Sequence, residues 1–286
     1  MVNVDSYTNS STGAHFTEED RLTILNDLLA SLGQDERLVG VLLVGSAADG
    51  FDDRYSDIDL SVVVAEDSQV SEVLSDWKTR IAVLFPVLSS FEVNYAENMF
   101  LAGFLLTNYL EMDIGFSGFK DLFAKRSRWR VVFDHSGQIE ETMQSSWENR
   151  VVTGPEAEYR RLLDSIWHYI THVAVSISRG HNWRALHYLE TVRTRAIELV
   201  CIRRGFDPHH FRPVHHLPPE FQVELQETLP QNTEDSEILR ALAKTAAIFF
   251  DECHVFDQSI GLDLSSNLRA GMESYLAMFG DLHQKR

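Results

Sequence analysis

Cysteine is nearly absent from this 286-residue chain. Cys201 and Cys253 are its only two, far too few for a disulfide framework, so a reducing cytoplasmic setting is the expectation. Basic side chains are also in short supply: 25 Lys+Arg stand against 43 Asp+Glu, for a formal charge of −18. A field of that sign repels phosphate backbones, so it disfavours general nucleic-acid binding and favours cationic partners or bound metal ions. No apolar run approaches the ~18 residues of a membrane-spanning helix. The start, Met1-Val2-Asn3-Val4-Asp5, lacks the basic and apolar regions of a secretory signal. Internal repeats are missing too. What is present is 44% hydrophobic and 10% aromatic residues, enough for a sizeable core.

The charge is uneven. Residues 1–150 carry 25 acidic and 11 basic side chains, a balance of −14; residues 151–286 carry 18 and 14, a balance of −4. The pattern changes at the same place. Residues 1–16 are polar and aperiodic and read as a loose tail. Thr17 reads as an N-cap before Leu22, Leu25, Leu29 and Leu32, with Gly33 as the stop. Strands are expected over 38–44 and 58–65, a helix over 71–88, and a strand over 91–95. A hairpin turning at Thr107-Asn108 should join 99–106 to 109–116, and an edge strand should cover 129–133. Thr153-Gly154-Pro155 marks a boundary, beyond which helices are expected over 156–179, 183–203, 219–229, 234–256 and about 266–279. The fold class expected is an α/β domain over 17–150, a mixed sheet with flanking helices, followed by an all-helical bundle over 151–286.

The chemistry concentrates in Gly45-Ser46-Ala47-Ala48-Asp49-Gly50 and Ser56-Asp57-Ile58-Asp59-Leu60. A strand ending in a Gly-Ser turn offers backbone N–H groups and a hydroxyl to a phosphate. The next strand opens with aspartates two residues apart, so both carboxylates lie on one face. Paired carboxylates beside a phosphate cradle suit a hard divalent cation such as Mg²⁺. A third carboxylate comes from Tyr109-Leu110-Glu111-Met112-Asp113-Ile114, where Glu111 and Asp113 share a face; Glu92 and Glu97 are the alternatives.

Gly-Ser-x-Ala-x-Gly followed by Ser-Asp-Ile-Asp-Leu resembles the nucleotidyltransferase superfamily that includes DNA polymerase β. The second half, through Arg179-Gly180, Ala185, Leu189 and Arg193, resembles the helical domain of the aminoglycoside and lincosamide nucleotidyltransferases. That resemblance implies an ATP- or other NTP-using enzyme. Gly45, Ser46 and Ser56 would bind the nucleotide; Asp57, Asp59 and Asp113 would be catalytic and would hold two Mg²⁺ ions. Asp113, or else Glu111, would be the general base. The reaction implied is transfer of a nucleoside monophosphate, AMP from ATP, to a hydroxyl of a small and perhaps cationic molecule, an aminoglycoside-like or lincosamide-like antibiotic, with pyrophosphate leaving. Monomer and homodimer stay open. Two alternatives stand beside it: the same chemistry on a protein or tRNA, as in toxin–antitoxin systems, and a non-catalytic nucleotide-binding regulator.

Other features invite weaker readings. Related sequences often carry a basic residue where Asp49 stands; Arg193 and Lys244 are candidates to replace its help to the phosphates. Lys120 to Arg130 holds five basic residues, read either as a solvated helix or as a face toward the triphosphate. Trp167, Tyr169, Trp183 and Tyr188 read as core or interface packing, or as a stacking surface. The histidines at 209, 210, 215 and 216 read as a loop, since no cysteine or helical His pair accompanies them.

Overall fold

A computed structural model describes residues 15–284; most of the expected tail, residues 1–14, lies outside them. The chain divides into two compact units, one up to Val151 and one from Val152. The first runs α1 (Glu18–Leu32), β1 (Leu38–Val44), β2 (Ile58–Val64), α2 (Val70–Leu84), β3 (Val87–Ala96), β4 (Met99–Leu106), β5 (Glu111–Gly118), β6 (Trp129–Asp134) and α3 (Ile139–Glu148). This is a mixed sheet with flanking helices, as expected.

Local chemistry explains the elements. Thr17 and Asp20 form a capping box, each side chain accepting the other's backbone N–H, which satisfies donors the first turn leaves open. Arg21, Ile24, Leu25, Leu28 and Leu32 line the buried face of α1. In α2 the spacing Val70, Val73, Leu74, Trp77, Ile81 does the same. The strands form one sheet in the order β3-β4-β5-β2-β1-β6. β2 and β5 pair in parallel; the other pairings are antiparallel. Alternate residues (Ile58, Leu60 and Val62 of β2, Met112, Ile114 and Phe116 of β5) meet α1 and α2 in the main core. On the other face a smaller core joins Leu42 and Val63 to Leu122, Ala124 and the α3 residues Ile139 and Met143.

Three local expectations change. β3 is ten residues long, twice the expected strand, and largely exposed along its length. Residues 122–128 form no helix after the short turn Phe119–Asp121, so the basic stretch is irregular chain with a bend at Lys125–Ser127. α3 was not foreseen at all. Asp134 starts it, accepting the N–H groups of Ser136, Gly137 and Ile139.

The second unit contains α4 (Pro155–Ser178), α5 (Asn182–Arg203), α6 (Pro219–Glu227), α7 (Asp235–Ile260) and α8 (Ser266–Gln284). Its core runs through Tyr159, Ile166, Ile170, Val192, Val200, Phe249 and Cys253. Asp257 ties the turn into α8: it accepts from the Tyr159 hydroxyl at 2.7 Å and from the Ser265 hydroxyl at 2.7 Å. Both cysteines are buried free thiols, and burial pushes Cys201 up to about 11. Among the described residues no helix is long and apolar enough to cross a membrane.

Candidate active site

The antiparallel register aligns Leu43 with Leu60, which brings the turn after β1 beside Asp59. Gly45 has φ +62, and a Cβ there would come 2.8 Å from Asp59 Oδ2. Both the backbone conformation and the close approach therefore require glycine. Its N–H donates to the Arg128 carbonyl at 3.2 Å. Gly45–Asp49 then winds as a 3₁₀ turn and ends at Gly50 with φ 94.

Asp49, where related sequences often carry a basic residue, is itself paired with one. Arg128 Nε donates to Asp49 Oδ2 at 2.5 Å, and its two terminal nitrogens grip Asp52 at 3.0 and 2.8 Å. One guanidinium thus pins the cradle turn to the loop that follows, and the two carboxylates hold it well above its ordinary range. That loop is fixed from below by Arg21. Its Nη1 donates to the carbonyls of Asp53 and Ser56 at 2.9 and 2.8 Å, and its guanidinium lies 3.9 Å over the Phe51 ring. The Ser56 hydroxyl bonds within the same loop, accepting from Asp53 N at 3.2 Å. Arg21 is not among the residues expected from the sequence, although a charged residue in phase with Ile24, Leu28 and Leu32 is a readable signal.

The parallel pair places Asp59 directly beside Asp113, on the face opposite the main core. Ile58 and Met112 form the preceding pair, so Asp57 and Glu111 lie one step out along the same two strands. Asp57, Asp59 and Asp113 are half-buried; Glu111 is exposed. Burial pushes the Asp113 carboxyl up, and the charges of Asp57 and Glu111 add to the rise. Of the alternatives, Glu92 sits on β3 in an ion pair with Lys78 at 2.8 Å, and Glu97 is exposed in the β3–β4 turn. Among the described residues no three Asp, Glu, His or Cys side chains are arranged to hold a metal ion as they stand. The fit to one lies in the donors: oxygen-only carboxylates on adjacent strands, whose mutual repulsion a hard cation would relieve.

Residues set aside as possible phosphate contacts are otherwise engaged. Arg193 is buried and donates to the Thr228 hydroxyl and carbonyl, both at 2.8 Å. Lys244 pairs with Glu227 at 2.8 Å. Lys120 pairs with Asp67 at 2.9 Å. Trp183 and Trp167 are exposed rather than core. The histidine segment 209–216 forms short 3₁₀ turns, with His210 and Phe211 at φ 54 and 58.

A glycine-serine turn beside aligned aspartates on a mixed sheet is the build of a nucleotidyltransferase. The family model for streptomycin adenylyltransferase matches residues 19–279, and the chain belongs to that family. No curated protein matches it. Among solved structures, a nucleotidyltransferase-like protein from Exiguobacterium sibiricum 255-15 is 13% identical, with 94% of this chain and 91% of that one covered at a TM-score of 0.40. A cytoplasmic RNA terminal U-transferase is 14% identical, with 82% and 66% covered at a TM-score of 0.28. Both superpose loosely, and the assignment rests on the family match.

Proposed function

We propose that the protein transfers AMP from ATP to a hydroxyl of a small cationic acceptor of the streptomycin class and releases pyrophosphate. The observation that carries the reading is the direct pairing of Asp59 with Asp113 beside the Gly45 turn. The Ser46 hydroxyl and the turn that Gly45 opens hold the triphosphate, Gly45 serving by its close approach to Asp59 because its own N–H is bound to the Arg128 carbonyl, while Ser56 shapes the loop that leads to the aspartates. Asp57, Asp59 and Asp113 would hold two Mg²⁺ ions, which when bound supply charge neutralisation to the phosphates. Asp113, aligned with Asp59 on the neighbouring strand, accepts the proton of the acceptor hydroxyl at its carboxylate. The hydroxyl oxygen attacks the α-phosphorus in line, and the bond to the β-phosphate bridge breaks. An acceptor with ammonium or guanidinium groups suits the acidic balance of the chain.

The test is incubation with Mg²⁺, labelled ATP and streptomycin, beside a panel of aminoglycosides and lincosamides. A labelled adenylyl product with equimolar pyrophosphate, lost in EDTA, is expected. No labelled small molecule with any acceptor, or labelled protein in its place, overturns the reading.

A further inference from the structure

The pairing that joins Asp59 to Asp113 continues across the sheet. Asp113 aligns with Gly103 of β4, and Gly103 with Phe91 of β3. All four belong to the face opposite the main core, because their neighbours Ile58, Leu60, Met112, Ile114, Ala102 and Phe104 fill that core. Gly103 has no side chain, yet it is buried, and what covers it is the Phe91 ring. A Cβ at Gly103 would collide with Cε1, Cζ and Cδ1 of Phe91. Phe91 itself is 54% exposed. The glycine therefore leaves the ring room over β4, the strand next to the one that carries Asp113, while more than half of the residue stays exposed.

The direction along this row assigns the ring a side. In sheet order the Gly45 turn follows β1, Asp59 is on β2, Asp113 on β5, Gly103 on β4 and Phe91 on β3. The phosphate cradle is thus at one end and the aromatic ring at the other, with the base between them. Strands lie ~4.8 Å apart, so a ring resting on β4 is about one sugar-ring width from the strand of Asp113. A half-exposed aromatic ring next to a row of carboxylates matches one ligand chemistry, a ring with an apolar face, hydroxyls and positive charge. The aromatic face takes the C–H groups or the cation, and the carboxylates take the polar rim.

We propose that Phe91, laid on Gly103, is the stacking platform that positions the acceptor's ring so that one hydroxyl reaches Asp113. This rests on the transferase reading above. Phe91 contacts the acceptor and leaves the nucleotide to the other end of the row.

The experiment compares wild type, Phe91→Ala and Phe91→Tyr, with streptomycin as the acceptor probe and ATP with Mg²⁺. A stacking or cation–π contact of about 1–2 kcal/mol predicts that Phe91→Ala raises the KM for streptomycin by about tenfold. The KM for ATP should stay within about twofold, and Phe91→Tyr, which keeps the ring, should restore the streptomycin KM. An unchanged streptomycin KM in Phe91→Ala overturns the proposal, whether or not the melting temperature falls, because a merely structural ring would move only the latter. A rise in the ATP KM instead of the streptomycin KM overturns it as well. Calorimetric titration of streptomycin and the wider acceptor panel without ATP separates this proposal from the one it rests on. Binding by wild type that Phe91→Ala weakens in this titration, together with no pyrophosphate release from either protein when ATP and Mg²⁺ are then supplied, sinks the transferase reading and keeps the platform. A wild type that binds no member of the panel sinks the platform.

Discussion

The two faces of the six-stranded sheet are made from alternate residues of the same strands, and they could hardly differ more. On one face Met112, Ile114 and Phe116 are fully buried under α1 and α2. On the other, Asp113 sits between Met112 and Ile114 in sequence and lies in a row with Asp59, a glycine and the half-exposed ring that covers it. On β5 the period-two alternation therefore separates Met112, Ile114 and Phe116, which hold the fold, from Asp113, which is available to a substrate, while on β2 the aspartate face turns into the smaller core at Val63. Core residues on this sheet gain stability by leaving water. Asp113 loses some, because burial and like charges oppose its ionised form.

Breaking the open face should cost activity and little else. Asp59→Asn removes the carboxylate between the cradle and Asp113, and adenylyl transfer should fall by about a thousandfold, several kcal/mol of transition-state stabilisation. The melting temperature should move by no more than a degree or two, and a cooperative loss of structure would refute the separation of faces. Breaking the core face should do the reverse. Ile114→Ala, one residue from the proposed base, should cost about 2–5 kcal/mol in denaturant unfolding. Its kcat at low temperature should stay near that of wild type.

A pH comparison sharpens the contrast on a smaller scale. Asp35 accepts from Arg37 and from the buried Trp77 Nε1, and Arg37 in particular holds it at about 2. A lowered carboxylate adds stability that is present above the unfolded value and lost as pH falls through the folded one. The depression corresponds to about 2 kcal/mol at neutral pH, by the linkage of pKa to stability. Asp35→Asn should therefore destabilise at pH 7, and the gap to wild type should narrow between pH 4 and pH 2. Asp113 has the opposite sign. Its raised value means that ionisation weakens the metal-free fold as pH rises, so Asp113→Asn should melt higher than wild type at pH 7. An equal or lower melting temperature for that variant would show that the row is not repulsive.

Much of this was legible in the sequence for a local reason. Gly45, Ser46, Asp57 and Asp59 lie within one strand–turn–strand passage, and alternation alone put Glu111 and Asp113 on one face. The neighbour relation of Asp59 and Asp113 was not legible, because strand order is set by contacts distant in the chain. Arg128 shows the same limit: it read as one of five basic residues in a patch, yet its partners Asp49 and Asp52 lie 79 and 76 positions away. Arg21 is in phase with the buried Ile24, Leu28 and Leu32, but its partners Asp53 and Ser56 lie in a loop distant in the chain. α3 is short and follows Gly137, and only the spacing Ile139, Met143, Trp147 could have marked it.

The parallel pairing of β2 with β5 also sets when the site can exist. Its partners Asp59 and Asp113 are 54 residues apart, and α2, β3 and β4 lie between them in the chain. The hairpins can close early from neighbouring segments, whereas this pair must bring distant ones together against a larger loop entropy. The carboxylate row thus depends on a long-range pairing rather than on neighbouring segments. A chain that has formed its helices and hairpins but not this seam carries all the residues of the site and none of its chemistry.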